Sequence, residues 1–194
     1  VLYHSEFQHC VDEIKNQLPG VKHWLAVDNG NASSYEDMAN NGDGSSPGIK
    51  HSADDLLFLY TGGTTGMPKG VMWRHSDLFQ VLGAGGNPRL GTPPCTDLTE
   101  LLERLTVSPR TVNLPLPPIM HGTGLLSAVG AMAAGGTCVT LTSKSFEPEL
   151  ALENITKHKI TQVTIVGDAF ARPMLEVLDE KPGKYDISSV GVIN

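Results

Sequence analysis

Between Thr111 and Ile193, short apolar runs alternate with helical spacings, and this alternation restricts the folds open to the chain. Runs rich in β-branched residues read as strands over Thr111–Leu114, Thr137–Leu141, Thr161–Val166 and Val190–Ile193. Apolar residues recurring every three or four positions predict helices between them, over Thr123–Ala134, Glu147–His158 and Ala169–Asp179. Strands separated by helices of this length pair in parallel through βαβ crossovers, which cover both faces of the sheet. The expected fold class is therefore α/β, a mostly parallel sheet with flanking helices.

Upstream the pattern is looser. Phe7, Cys10, Val11, Ile14 and Leu18 give a helical spacing over 5–18, closed by Pro19-Gly20, and Trp24–Val27 reads as a short strand. Residues 29–52 are rich in Asn, Gly, Ser and Asp and read as loop, with a brief helix near Tyr35–Ala39. Leu56–Tyr60 is expected to be a compact buried strand and Gly70–Trp73 a second strand, with a helix from Ser76. The stretch from Gly83 to Thr111 is irregular around one amphipathic surface helix, Asp97–Leu105. Gly83-Ala84-Gly85-Gly86 has the look of a dinucleotide turn, but it follows a helix and not a strand, so it reads as loop.

Composition removes several function classes. At about 150 residues per domain, a chain of 194 residues is one domain, or one and a piece of another. Its 14 Lys and Arg against 21 Asp and Glu give a net charge of −7, which argues against a nucleic-acid partner. No apolar run reaches the roughly 18–20 residues of a membrane span. Cys10, Cys95 and Cys138 are odd in number and widely spaced, which supports neither a disulfide framework nor a zinc site. The expectation is a reduced, soluble, cytoplasmic protein. A start at Val1 and an end just after Val190–Ile193 lead us to expect a piece of something larger.

The chemistry is concentrated in Tyr60-Thr61-Gly62-Gly63-Thr64-Thr65-Gly66-Met67-Pro68-Lys69-Gly70-Val71. Glycines allow positive φ and bring backbone N–H groups close to an anion, threonines add hydroxyl donors, and Lys69 adds a mobile point charge. Together they describe a cradle for a polyphosphate. A Walker loop needs Gly-Lys-Ser/Thr opening a helix; here Gly70 follows Lys69 and a strand comes next. The plainer reading is a Gly-rich hairpin between two strands, for which six glycines and threonines followed by Met-Pro-Lys-Gly make a poor turn.

This segment resembles the phosphate-binding signature of the acyl-adenylate-forming superfamily, which comprises acyl-CoA synthetases, luciferase-like enzymes and adenylation domains. Leu114-Pro115-Leu116-Pro117-Pro118-Ile119-Met120-His121-Gly122-Thr123-Gly124 is similar to the family's second motif, and Tyr185–Val190 to the approach to its next strand. The wording around Val71–His75, Met120–Gly124 and Val166–Phe170 looks most like bacterial fatty-acyl-CoA synthetases, including those acting on steroid-derived acids. The resemblance implies that residues 1–194 are a partial N-terminal domain of the adenylate-forming fold, the large AMP-binding domain. It also implies a two-step reaction: a carboxylic acid and Mg2+·ATP give acyl-AMP, from which coenzyme A takes the acyl group. Thr61, Gly62, Gly63, Thr64, Thr65, Gly66 and Lys69 would hold the β- and γ-phosphates, Thr61 would also meet the magnesium, and His121 would gate the acyl pocket. The family's Tyr-Gly-x-Thr-Glu motif, ribose aspartate, hinge and small C-terminal domain with its lysine are missing and would lie beyond Asn194. The chain alone is therefore expected to be inactive. An acyl-AMP ligase serving a carrier protein, or a catalytically dead phosphate-binding module, are the alternatives.

Single residues also carry plainer readings. His121 at a helix start after Pro-Pro could be a partly exposed cap residue. The uncharged helix over Leu125–Ala134 reads as buried, and either lines an acyl tunnel or packs on the sheet. His4 and His9 read as solvated. Asp168 could line a polar site, although a helix-start carboxylate is the commoner role.

Overall fold

The computed structural model describes residues 1–28, 34–62, 66–86, 91–107 and 110–194, with Ser34 and Val107 described by backbone alone. They group into two compact units, Val1–Lys50 and His51–Asn194. In the first, β1 (Leu2–Tyr3) pairs in parallel with β2 (Leu25–Ala26). The helical spacing over 5–18 becomes α1 (Gln8–Ile14) between 3-10 turns at Ser5–Phe7 and Lys15–Gln17. Only a thin stripe of it is covered: Val11 is buried, while Phe7, Ile14 and Leu18 are exposed. The brief helix expected near Tyr35–Ala39 is α2 (Ser34–Asn40).

The second unit opens with an antiparallel hairpin, β3 (Leu56–Thr61) and β4 (Lys69–Arg74), followed by α3 (His75–Val81). The expectation that Leu56–Tyr60 is a buried strand is incorrect. Leu56, Phe58 and Tyr60 share one face of the ribbon, and Tyr60 is 68% exposed, because a two-stranded ribbon has no second layer on that side. After α4 (Leu98–Val107), whose start is capped by Asp97 accepting from the Glu100 amide at 2.9 Å, the chain enters the sheet.

The sheet contains β5 (Val112–Pro115), β6 (Thr137–Cys138), β7 (Gln162–Thr164) and β8 (Val192–Ile193) in the order β6-β5-β7-β8, every pair parallel. The α/β class and parallel pairing expected from the sequence are observed. The ladders are shorter than the apolar runs, since β6 and β8 are edge strands and the ladders engage only part of each run. Bonds such as Val139 N to Asn113 O and Ile165 N to Asn194 O carry the pairing slightly further.

The crossovers are α5 (Gly122–Ala133), α6 (Pro148–His158) and α7 (Asp168–Glu180). Adjacent residues of β5 point to opposite faces. Leu114 joins Val163 and α6 residues Ala151, Leu152 and Ile155 in the core, whereas Asn113 faces α5 and donates to Ser127 Oγ at 3.4 Å. Burial of a leucine or isoleucine of this kind contributes about 1.5–3 kcal/mol. Glu149, in the first turn of α6, accepts from Lys181, Lys184 and Tyr185 and so fastens α6 to the end of α7 and the segment after it. The Lys181 ammonium foremost, then the Tyr185 hydroxyl and Lys184, lowers its carboxyl from 4.5 to about 2.

Candidate functional site

The connection from β5 to β6 runs one way along the sheet and that from β6 to β7 runs back past β5, so the winding reverses between β5 and β7. In open α/β sheets, ligands bind beyond the carboxyl ends of the strands at such a reversal. The carboxyl end of β5 leads through Leu116, Pro117 and Pro118 to His121, and that of β7 leads through Val166 and Gly167 to Asp168.

His121 is the N-cap of α5, with φ −87° and ψ 138°, and its Nδ1 accepts from the Thr123 amide at 3.3 Å. An accepting Nδ1 assigns the ring proton to Nε2. The cap reading of His121 is thus realised, with the Nε2–H group not used by the cap. The turn into the helix is tight: a Cβ on Gly124 would lie 2.5 Å from both the Pro117 and Pro118 carbonyl oxygens. A Cβ on Gly122 would lie 2.9 Å from Leu59 Cδ2. The start of α5 therefore lies against β3, two residues before Thr61.

Thr61 and Lys69 form the last register pair of the hairpin, and the Thr61 hydroxyl donates weakly to the Lys69 carbonyl at 3.4 Å. The hairpin reading is correct for the flanking strands, with the Gly/Thr run joining them. Gly66 has φ +127°, a backbone region that L side chains rarely adopt. Gly70 faces Tyr60, whose ring a Cβ would approach to 3.3 Å. Thr61, Gly62, Gly66 and Lys69 are all exposed. Gly63, Thr64 and Thr65 lie outside the described residues. Asp168 opens α7 and pairs with Arg172 at 3.2 Å on the surface, in the helix-start role. Among the described residues, no group of three or more His, Cys, Asp or Glu could hold a metal ion.

A groove of about 630 Å3 lies between the end of α3, the side of α5 and the sheet face that carries β7 and β8. Val81, Leu82, Leu126, Gly130, Ala131 and Ala134 supply its apolar wall, and Ser127, Thr161, Gln162 and Asn194 supply polar groups. The size falls within the range of about 300–1,000 Å3 usual for small-molecule sites. No Asp, Glu, Lys or Arg lines it among the described residues. The expectation that α5 is a buried helix needs correction. Gly124, Ala128 and Ala131 are buried, but Gly130 is only half-covered where the helix borders the groove, and Met132 is exposed. Sequence reading did not single out Asn113, Gln162 or Thr164. Their signal was the polar alternation through Gln162-Val163-Thr164-Ile165, which puts polar side chains on the α5 side of the sheet.

A family model described as "AMP-binding enzyme" matches residues 1–193. The chain is 36% identical, over its whole length, to the medium-chain acyl-CoA ligase Mig of Mycobacterium avium, covering 36% of that protein. It is 35% identical, over 98% of its length, to a medium/long-chain-fatty-acid–CoA/3-oxocholest-4-en-26-oate–CoA ligase of Mycolicibacterium smegmatis, covering 36% of that protein. The chain thus spans little more than a third of these relatives. The fold is shared with a long-chain-fatty-acid–CoA ligase of Archaeoglobus fulgidus, with a TM-score of 0.68 at 23% identity over 99% of this chain and 35% of that one. No helix among the described residues is long and apolar enough to cross a membrane.

Proposed function

The chain belongs to the AMP-binding enzyme family, and from that premise we propose that it carries the phosphate loop and acyl groove of an ATP-dependent acyl-CoA synthetase. In this reading a carboxylate oxygen attacks the α-phosphorus of ATP, the bond to pyrophosphate breaks, and acyl-AMP forms. The sulfur of coenzyme A then attacks the acyl carbon, AMP leaves, and the thiol proton passes to solvent. The observation that carries the reading is the contact between Leu59 and Gly122, which sets the Gly/Thr hairpin beside His121 at the sheet's reversal point.

Thr61, Gly62, Gly66 and Lys69, with Gly63, Thr64 and Thr65 between them, hold the β- and γ-phosphates. Their contribution is electrostatic stabilisation with positioning. Magnesium fits here as an ion that arrives with the nucleotide. Thr61 offers one exposed hydroxyl oxygen, and a magnesium shell is completed by phosphate oxygens and water. His121 stands about one and a half turns before Leu126, the first α5 residue of the groove wall, and in this reading it gates the entry of the acyl group with Nε2–H near the carboxylate end.

The groove favours a long aliphatic or steroid-like acid. Each methylene buried there contributes about 0.8 kcal/mol, and the ammonium of an amino acid would find no carboxylate along the described lining. A cytoplasmic location is part of the same proposal, supported by the free, widely spaced Cys10, Cys95 and Cys138. Pyrophosphate release by the full-length protein carrying this sequence, across acids from acetate to long-chain and steroid-derived ones, tests the reading. Release with the long acids, followed by thioester formation with coenzyme A, is expected. Transfer only to a carrier-protein thiol would make it an acyl-AMP ligase, and no release with any acid would make it a dead module.

A further inference from the structure

The polar groups of the groove differ in whether they are already engaged. The Thr161 hydroxyl accepts from Val112 N at 2.9 Å, and the Ser127 hydroxyl donates to the Gly124 carbonyl at 3.1 Å. Asn113, behind Ser127 and fully buried, accepts from Thr164 Oγ1 and donates to Ser127 Oγ, both at 3.4 Å. Gln162 is different. It opens β7, in register with Asn113 on one side and Val192 on the other, half-buried, and it lines the groove. Its side-chain amide makes no hydrogen bond with any described residue. A side-chain amide left open to a groove is satisfied by solvent water.

An acyl group that fills the groove displaces this water, and a plain alkyl chain returns no hydrogen bond to the amide. An acid whose hydrocarbon carries a ketone or hydroxyl restores the bond. The glutamine amide can donate to either oxygen and can accept from a hydroxyl. We infer that Gln162 is a specificity-determining residue that recognises an oxygen function on the hydrocarbon body of the acid. The inference rests on the acyl-groove assignment made above.

The test is pyrophosphate release by the full-length protein with three acids of equal length: saturated, keto and hydroxy. The unaltered protein is expected to prefer an oxygenated acid to the saturated one by about 3- to 10-fold in kcat/KM. Gln162→Leu, and Gln162→Met as a closer match in shape, are expected to abolish that preference, bringing the ratio of kcat/KM for the oxygenated acid over the saturated one to about 1. Absence of any preference in the unaltered protein overturns the inference whatever the variants do. An unchanged preference in a folded variant overturns it as well. Activity with none of the acids would instead remove the acyl-CoA synthetase reading on which it rests.

Discussion

Two glycines on α5 are expected to respond in opposite ways to the same added methyl group. At Gly124, a Cβ would lie 2.5 Å from two backbone carbonyl oxygens, about 0.9 Å inside ordinary contact at 3.4 Å. Neither carbonyl can rotate away, because the strand end after β5 and the cap at His121 fix both. Overpacking costs about 1–3 kcal/mol, and a rigid neighbour puts Gly124→Ala in the upper half of that range. The gain in helix propensity returns about 1 kcal/mol, for a net loss of about 1–2 kcal/mol. At Gly130, the nearest atom is Leu82 Cδ2 at 3.4 Å, so Gly130→Ala keeps the propensity gain and meets only a flexible side chain. The two variants should differ by about 2–3 kcal/mol, which separates their urea midpoints by about 1 M at a typical slope. Urea unfolding followed by circular dichroism measures it. Equal midpoints would refute the tight turn at Pro117–Pro118 and, with it, the placement of His121.

Lys69→Ala in the full-length protein is expected to lose about 1.5–3 kcal/mol of phosphate binding, roughly 10- to 150-fold in kcat/KM for ATP. Folding should hardly change, since Lys69 is exposed, and unchanged ATP kinetics would exclude the residue from the site. Gly130→Leu places a branched side chain in the groove beside Leu82. Exclusion of about two methylenes predicts a loss of roughly 10- to 20-fold on long acids with short ones spared, read from acid-chain-length profiles; equal loss on both would mean that α5 only packs. Glu149 has a folded-state value of about 2 against 4.5, so its contribution to stability is present above about pH 4.5 and disappears as pH falls through about 2. The urea midpoint of Glu149→Gln should therefore lie below that of the parent at pH 7, with the gap closing over that acidic window; a gap independent of pH would contradict the Lys181–Glu149 attachment.

The sequence was most legible where burial decides structure. Leu114, Leu152, Ile155 and Val163 announce a two-sided parallel sheet by pattern alone, and that sheet is present. It was least legible where an apolar residue has nothing to cover it. Phe58 and Tyr60 alternate like core residues, yet composition does not report whether a second layer stands over them. Strand ends also escaped, because Thr140, Leu141 and Val166 look like strand by composition but lie beyond the ladders. The phosphate loop could be read as chemistry from Gly, Thr and Lys together. Its neighbour in space, the start of α5, could be assigned only by family resemblance until the Leu59–Gly122 contact joined them. The groove's polar floor went unread, since the alternation through Gln162-Val163-Thr164-Ile165 marks two faces of a strand without saying which of them borders a groove.

The central claim is that a carboxylate attacks the nucleotide in front of the Gly/Thr loop, and oxygen-18 tests it directly. With the full-length protein, ATP, magnesium, coenzyme A and a long-chain acid labelled in its carboxylate, AMP should emerge carrying one labelled oxygen. Lys69→Ala should slow the appearance of that label. Unlabelled AMP, or AMP formed without any acid, would contradict the account.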